Sequence, residues 1–430
     1  MVPFVNTNEI KTTSYKVVLP FYIYAGFSFL AATIMLSTSA SAFLQHYFHP
    51  HTLAITHMMA LGWGTMIILG ASHQLVPVLI EGRLYSEKLA YASFAFSATG
   101  IPFLIYSFYF FNMGWQARYG GELILLALLC YLVNLGISIS KSKTENIYAI
   151  FVFTAAIWLL LAAALGLALI YNFTSPVFPK DSLHYLPLHA HLGIVGWFLL
   201  LVIGVGSRLI PMFLISKYSN TSLLWWTFLI VNSSLLIYLA FFLISFTGML
   251  LLIPTSVLIF GIFLFAFYCY RSFKERIRRK VDLPMKVSLT SVIIMIIPLL
   301  LLLLLIIAYS LYSTGNHSNL VSAYGFVIFF GWITVIIFGM TFKTLPFISW
   351  NKVYHLRASS GKTPNPKDLF SSTLFKWMLL FYLTGFILFL SGIIFQLILP
   401  LNTGAFLLLL TAVFYNGNIF KIIFHKPESL

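Results

Sequence analysis

The sequence predicts an all-α integral membrane protein: twelve transmembrane helices arranged as three pseudo-symmetric four-helix arcs, with both termini cytoplasmic. Three observations predict it: the composition, the distribution of positive charge, and an internal repeat. Apolar residues make up 60% of the chain, charged residues only 8%, and the mean hydropathy is +0.96. Soluble domains run near 25% charged.

A spanning helix needs about 20 largely apolar residues. Windows of that kind fall near 17–43, 53–79, 89–111, 121–140, 147–171, 188–214, 223–245, 247–270, 286–312, 320–348, 374–398 and 402–424. The first 16 residues are polar and no cleavage site follows, so no removable signal peptide is expected. Residues 1–430 read as a single membrane domain.

A formal net charge of +15 would suggest nucleic acid in a soluble protein. In a membrane protein it reads as topology, and no nucleic-acid partner is expected. With the N-terminus inside, the inner loops and helix ends carry Lys11, Lys16, Arg83, Lys88, Lys141, Lys143, Arg208, Lys217 and the run RSFKERIRRKVDLPMK at 271–286. They also carry Lys343, Lys352, Arg357, Lys362, Lys367, Lys376, Lys421 and Lys426, leaving only Arg118 and Lys180 outside. That bias follows the positive-inside rule and places the chain, multi-pass, in the cell inner (cytoplasmic) membrane. None of the ten carboxylates lies mid-span, which counts against an ion-coupled pump. Cys130 and Cys269 lie inside predicted spans without CxxC spacing and read as packing residues.

Three segments align without gaps: HMMALGWGTMIILGASHQLVPVL from His57, HLGIVGWFLLLVIGVGSRLIPMF from His191 and FVIFFGWITVIIFGMTFKTLPFI from Phe326. Each has Gly-Trp (Trp63, Trp197, Trp332), a Gly seven residues on (Gly70, Gly204, Gly339) and a Pro fourteen on (Pro77, Pro211, Pro346). The tryptophans are 134 and 135 positions apart. This spacing divides the chain into units of about 17–140, 147–270 and 286–424, with the motif on helices 2, 6 and 10. The small residues permit close helix approach, and the prolines kink or end the spans.

Histidines stand at the outer ends of two motif helices. His57 and His191 share a slot six residues before Trp, filled by Phe326 in the third unit. His189 is eight before Trp, where the other units have Ile55 and Tyr324. Residues two apart on a helix project about 200° apart, so His189 and His191 face opposite sides. His57 and His191, at equal depth on different helices, suit a bis-histidine haem; the alternative is hydrogen bonding between helices. His46, His49 and His51 form a first outer loop, with a loose metal site or plain solvation as its readings. His73 lies some 24 Å along the helix from His57 by helical rise. His184, His317, His355 and His425 read as loop, boundary or tail residues. Arg118 is an outer-side partner for haem propionates, with Lys180 as the other candidate.

The run HAHLGIVGW resembles the haem-ligand helix of the C-type haem–copper oxidases, whose HxHxGxxGW supplies two axial histidines. The twelve-helix, three-arc architecture is also similar to that superfamily's main subunit. The resemblance implies His57 and His191 as the low-spin haem ligands, with His189 serving iron on the other face. On that assignment His57→Ala or His191→Ala abolishes a low-spin spectrum, and His189→Ala leaves it. Three departures follow from the residues. The HxH pair is on helix 6 instead of helix 10, helix 10 has Tyr324 and Phe326, and helix 7 has no histidine. No second-metal cluster is then expected, and copper and the usual oxygen or nitric-oxide reduction are not.

The implied function is a haem b protein, with one haem or two, similar in class to the NnrS proteins of nitric-oxide resistance. Its partners are the lipid bilayer, a diatomic gas such as nitric oxide, and an electron donor or partner membrane subunits. Two alternatives stay open: a transporter or scaffold that kept the fold without cofactors, and a terminal oxidase or NO-reductase-type catalytic subunit. The role of Tyr324 (ligand, hydrogen-bond donor or filler) is also open.

Overall fold

A computed structural model describes residues 13–142, 146–312, 317–354 and 363–426. Lys11, Lys143, His355, Arg357 and Lys362 lie outside the described residues. The fold is all-helical; the only extended pairing among the described residues is an isolated bridge between Ser216 and Arg276. Twelve helices are long and apolar enough to cross a membrane. They are α1 Tyr15–Thr38, α2 Pro50–Leu79, α3 Glu87–Tyr109, α4 Trp115–Ser140, α5 Ile147–Asn172 and α6 Ser182–Leu214. The remainder are α7 Thr221–Leu243, α8 Gly248–Lys274, α9 Leu283–Leu311, α10 Ser318–Tyr354, α11 Ser372–Phe395 and α12 Ile398–Ile423.

The helix starts alternate in chemistry. Every odd-numbered helix begins at a Ser, Asn or Asp whose side chain accepts an N–H of the first turn: Ser14, Ser86, Asn146, Asn220, Asp282 and Ser371. Such caps satisfy amides that the helix itself leaves unpaired. Of the even-numbered helices, only α2 (His49) and α6 (Asp181) have a side-chain cap. Asp181 starts α6 six residues before the apolar run begins, so His189 and His191 stand well inside the helix. Pro187 is carried within it. At its C-terminal end α10 carries Pro346 within it and continues to Tyr354, and Lys343 on it is buried and paired with Asp282.

The repeat reappears as local geometry. Each Gly-Trp sits in a π-helical stretch, Met58–Thr65, Leu192–Leu199 and Val327–Ile333. Such widened turns are rare and concentrate at functional positions. The glycine seven residues on lets its helix press on the preceding one. A Cβ at Gly70 would lie 2.6 Å from that of Phe21 on α1, and one at Gly339 2.7 Å from the Ser288 amide nitrogen on α9. At Gly204 it would collide with Phe151 on α5. With α1, the motif helices α2, α6 and α10 are the most buried of the twelve.

The buried tryptophans tie the motif helices together. Trp63 Nε1 donates to Thr334 Oγ1 on α10 at 3.1 Å, and Trp197 Nε1 to Thr65 Oγ1 on α2 at 3.1 Å. Both acceptors stand two residues after their own unit's Trp. The third unit's donor, Trp332, would need an acceptor at position 199, which is Leu199, and its buried indole N–H has no partner. Thr65→Val and Thr334→Val should therefore each orphan a second indole N–H and cost about 1–3 kcal/mol. Leu199→Val orphans nothing and should cost only about 0.5–1.5 kcal/mol for its lost methylene. Unfolding midpoints in detergent check this; equal losses in all three variants would mean the indole bonds contribute nothing.

Candidate functional site

A cavity of about 290 Å³ opens between the N-terminal halves of α2, α6 and α10, backed by α3, α4 and α5. Its wall is largely aromatic and aliphatic, with Phe108, Trp197, Phe198, Phe326, Phe329 and Phe330 among the lining residues, and no Asp, Glu, Lys or Arg is among them. Gly193 and Gly325 face it. A Cβ added at either would meet nothing within 4 Å, so both glycines leave open space where a side chain would stand.

Two imidazoles enter this cavity, His57 from α2 and His189 from α6. Their ring centroids are 6.1 Å apart and their planes lie 16° from parallel. Each ring is fixed from behind. His57 Nδ1 is 2.9 Å from the Leu53 carbonyl, and His189 Nδ1 is 3.0 Å from the Ala162 carbonyl on α5. A carbonyl only accepts, so in both rings Nδ1 holds the proton and Nε2 keeps a free lone pair. Among the described residues no donor engages either Nε2. Gly166, one turn beyond Ala162, completes the seat: a Cβ there would lie 2.8 Å from His189 Cε1. Phe108 packs on His57 with centroids 4.6 Å apart.

His191 turns the other way and does not line the cavity. Its Nδ1 is 2.7 Å from the Pro187 carbonyl, its Nε2 lies 3.3 Å from the Tyr324 hydroxyl, and Tyr238 of α7 packs on its ring at 5.2 Å. Tyr324 is thus a hydrogen-bond donor to His191. The opposed directions of His189 and His191 follow their two-residue spacing. The structure sets His57 beside His189, however, instead of beside its slot-mate His191. The motif helices meet as a ring, so a slot on one faces a different slot on the next: His57 faces His189, as His191 faces Tyr324.

Arg118, on α4, is not among the cavity's lining residues. Its guanidinium donates to Thr174 Oγ1 and lies 4.8 Å from the Tyr171 ring centre, whose hydroxyl donates to Glu122 at 2.7 Å. Lys180 is 3.3 Å from His184. His46, before α2, and His49, its N-cap, each accept a backbone N–H through Nδ1, and His51, in the first turn of α2 and not in a loop, stacks on Tyr109. Burial, and then the neighbouring His51, lower the His49 pKa. His73 is buried between Phe21 and Tyr131, with both ring nitrogens unpartnered. Among the described residues no three His, Cys, Asp or Glu side chains converge as a metal-ion site.

Sequence reasoning missed the supports: Ala162 and Gly166 on α5, Phe108 on α3, and the π-helical turns. Their one trace in the sequence is the small pair A-x-x-x-G at 162–166, which is common in membrane helices. No protein-family model matches the chain, and no curated protein is detectably similar to it.

Proposed function

We propose that this is a haem-binding membrane protein of the haem–copper-oxidase-like kind, in which His57 and His189 would together hold one b-type haem. The observation that carries the reading is the imidazole pair itself: two rings from different helices, nearly parallel, 6.1 Å between centres, each proton locked on Nδ1. Both rings enter one cavity, so a single haem iron could be held by the two together. The residues fit the group: two free Nε2 atoms in one cavity, a largely apolar aromatic wall, and Gly193 and Gly325 leaving room beside them.

Bound there, the haem would supply one-electron transfer or, where one imidazole yields its place, a binding position for a diatomic gas such as nitric oxide. The chain's own residues do the rest. The Leu53 and Ala162 carbonyls fix tautomer and ring orientation and make the free nitrogens better donors. Gly166 admits the His189 ring against α5. The aromatic wall excludes water, and Tyr324 holds the lone pair of His191 away from the site. We further infer three four-helix arcs with both termini cytoplasmic. The recurring π-turns, the alternate capping and the lysine and arginine bias support that arrangement.

The test is a visible spectrum of the detergent-solubilised protein, oxidised and dithionite-reduced, with haem and copper quantified on the same sample. The expected result is a bis-histidine low-spin spectrum with about one haem per chain, as the single ligand pair dictates. A colourless protein would refute the reading and leave the imidazoles as ties between helices in a transporter or scaffold.

A further inference from the structure

Most serine and threonine side chains inside the spans return their proton to a carbonyl three or four residues back, as Thr33, Ser37, Ser207, Thr227, Thr255 and Ser272 do. That is the ordinary way to satisfy a hydroxyl inside an apolar helix. Five serine and threonine hydroxyls among the described residues break the habit and are buried without a partner: Thr52, Ser93, Ser107, Ser322 and Ser349. Two of them, Thr52 and Ser322, line the cavity, and each side chain is in a residue only 5% exposed. They come from different helices, α2 and α10, yet stand at the same level. Thr52 is eleven residues before Trp63 and Ser322 ten before Trp332. His57 and His189 stand six and eight before theirs, so the hydroxyls lie roughly 3–8 Å nearer the N-terminal ends of the helices by rise per residue.

An unpartnered buried hydroxyl costs about 1–3 kcal/mol, and two at one level of one cavity call for a shared acceptor. The structure assigns Thr52 and Ser322 as the seat for the carboxylates of the bound macrocycle: two O–H donors in the cavity lining, one level toward the N-terminal helix ends from the imidazole pair. The assignment rests on the haem reading and deepens it. It replaces the expectation of an arginine there, since Arg118 is engaged with Thr174 and Tyr171 outside the cavity wall. The seat is neutral, so it discriminates by hydrogen bonds to acceptor oxygens. A group whose carboxylates are masked accepts those bonds more weakly than a free carboxylate.

The experiment measures binding of haem and of its dimethyl ester to the full-length protein, prepared without haem, by competition with an apo-acceptor protein. Wild type should hold haem at least about tenfold tighter than the diester, as expected for charge-assisted hydrogen bonds. The Thr52→Val/Ser322→Ala double variant should lose that preference while keeping a low-spin spectrum at the wild-type wavelengths. Thr52→Ser/Ser322→Thr, which keeps both hydroxyls, should restore it. A double variant that discriminates as wild type does, or a wild type that binds both forms equally, overturns the seat and leaves the axial pair standing. A wild type that binds neither form overturns both.

Discussion

His57→Ala and His189→Ala should each abolish the low-spin spectrum, and His191→Ala should leave its wavelengths unchanged. On the proposed haem reading, each of the first two removes one of the two nitrogens that share the cavity, leaving at most a single imidazole to hold the iron. His191 stands outside the cavity wall with its lone pair 3.3 Å from the Tyr324 hydroxyl. Its loss should appear as stability, about 1–3 kcal/mol for a buried hydroxyl left unpaired, and not as colour. Gly166→Ala is the finer probe. A methyl group there would press on Cε1 of His189, so affinity should fall about 10–100-fold, as for other supports of a ligand, with both histidines present. Added imidazole should restore a low-spin spectrum to His189→Ala, because the cavity then has room for the missing ring. If His191→Ala bleaches the protein while His189→Ala does not, the ligand pair is the one that equal depth in the sequence suggests, and the cavity assignment is wrong.

That contrast marks where sequence stops informing the site. The spans were legible because an apolar run of about 20 residues has few other destinies. The repeat was legible because Trp63, Trp197 and Trp332 recur at nearly equal spacing. The opposed faces of His189 and His191 were legible too, since helical rotation alone dictates them. Which histidine meets which was not, because that depends on how three helices are turned about their own axes. The turning is set by contacts such as Trp63 with Thr334 and Trp197 with Thr65, and the widened turns around each Gly-Trp alter the rotation locally. The seat of His189 was hidden for a different reason: in an apolar helix such as α5, nothing separates Ala162 and Gly166 from other small residues. The sixth span starts earlier than its apolar run, at Ser182 instead of 188, because Pro187 is carried inside the helix.

Lys343 carries the second large effect. Its ammonium group is 2.7 Å from Asp282 Oδ2, its side chain is 8% exposed, and it lies 4.9 Å from the centre of the Phe213 ring on α6. One ion pair therefore joins α10 to the N-cap of α9 and sets α6 against both. Asp282→Asn should cost about 1–3 kcal/mol, because it takes the charged partner from an ammonium group whose side chain is only 8% exposed. Lys343→Met should cost less, since Asp282 is 31% exposed and keeps Arg278 at 3.4 Å and the Met285 N–H at 3.2 Å. The pH dependence has a definite sign. Burial alone would raise the Asp282 pKa. The hydrogen bond and charge of Lys343, with help from Met285 and Arg278, outweigh burial and hold the carboxyl below its usual value. A depressed carboxyl stabilises the fold fully above its unfolded pKa, about 3.9, and loses that contribution as pH falls through the folded value. Wild type should thus keep the contribution at pH 5 and above and lose it steadily below about pH 4, whereas Asp282→Asn should lack this component of the acid transition. Unfolding midpoints of both proteins between pH 3 and pH 7 decide it. Parallel curves would mean that the pair is solvated and that α6, α9 and α10 are held by packing alone.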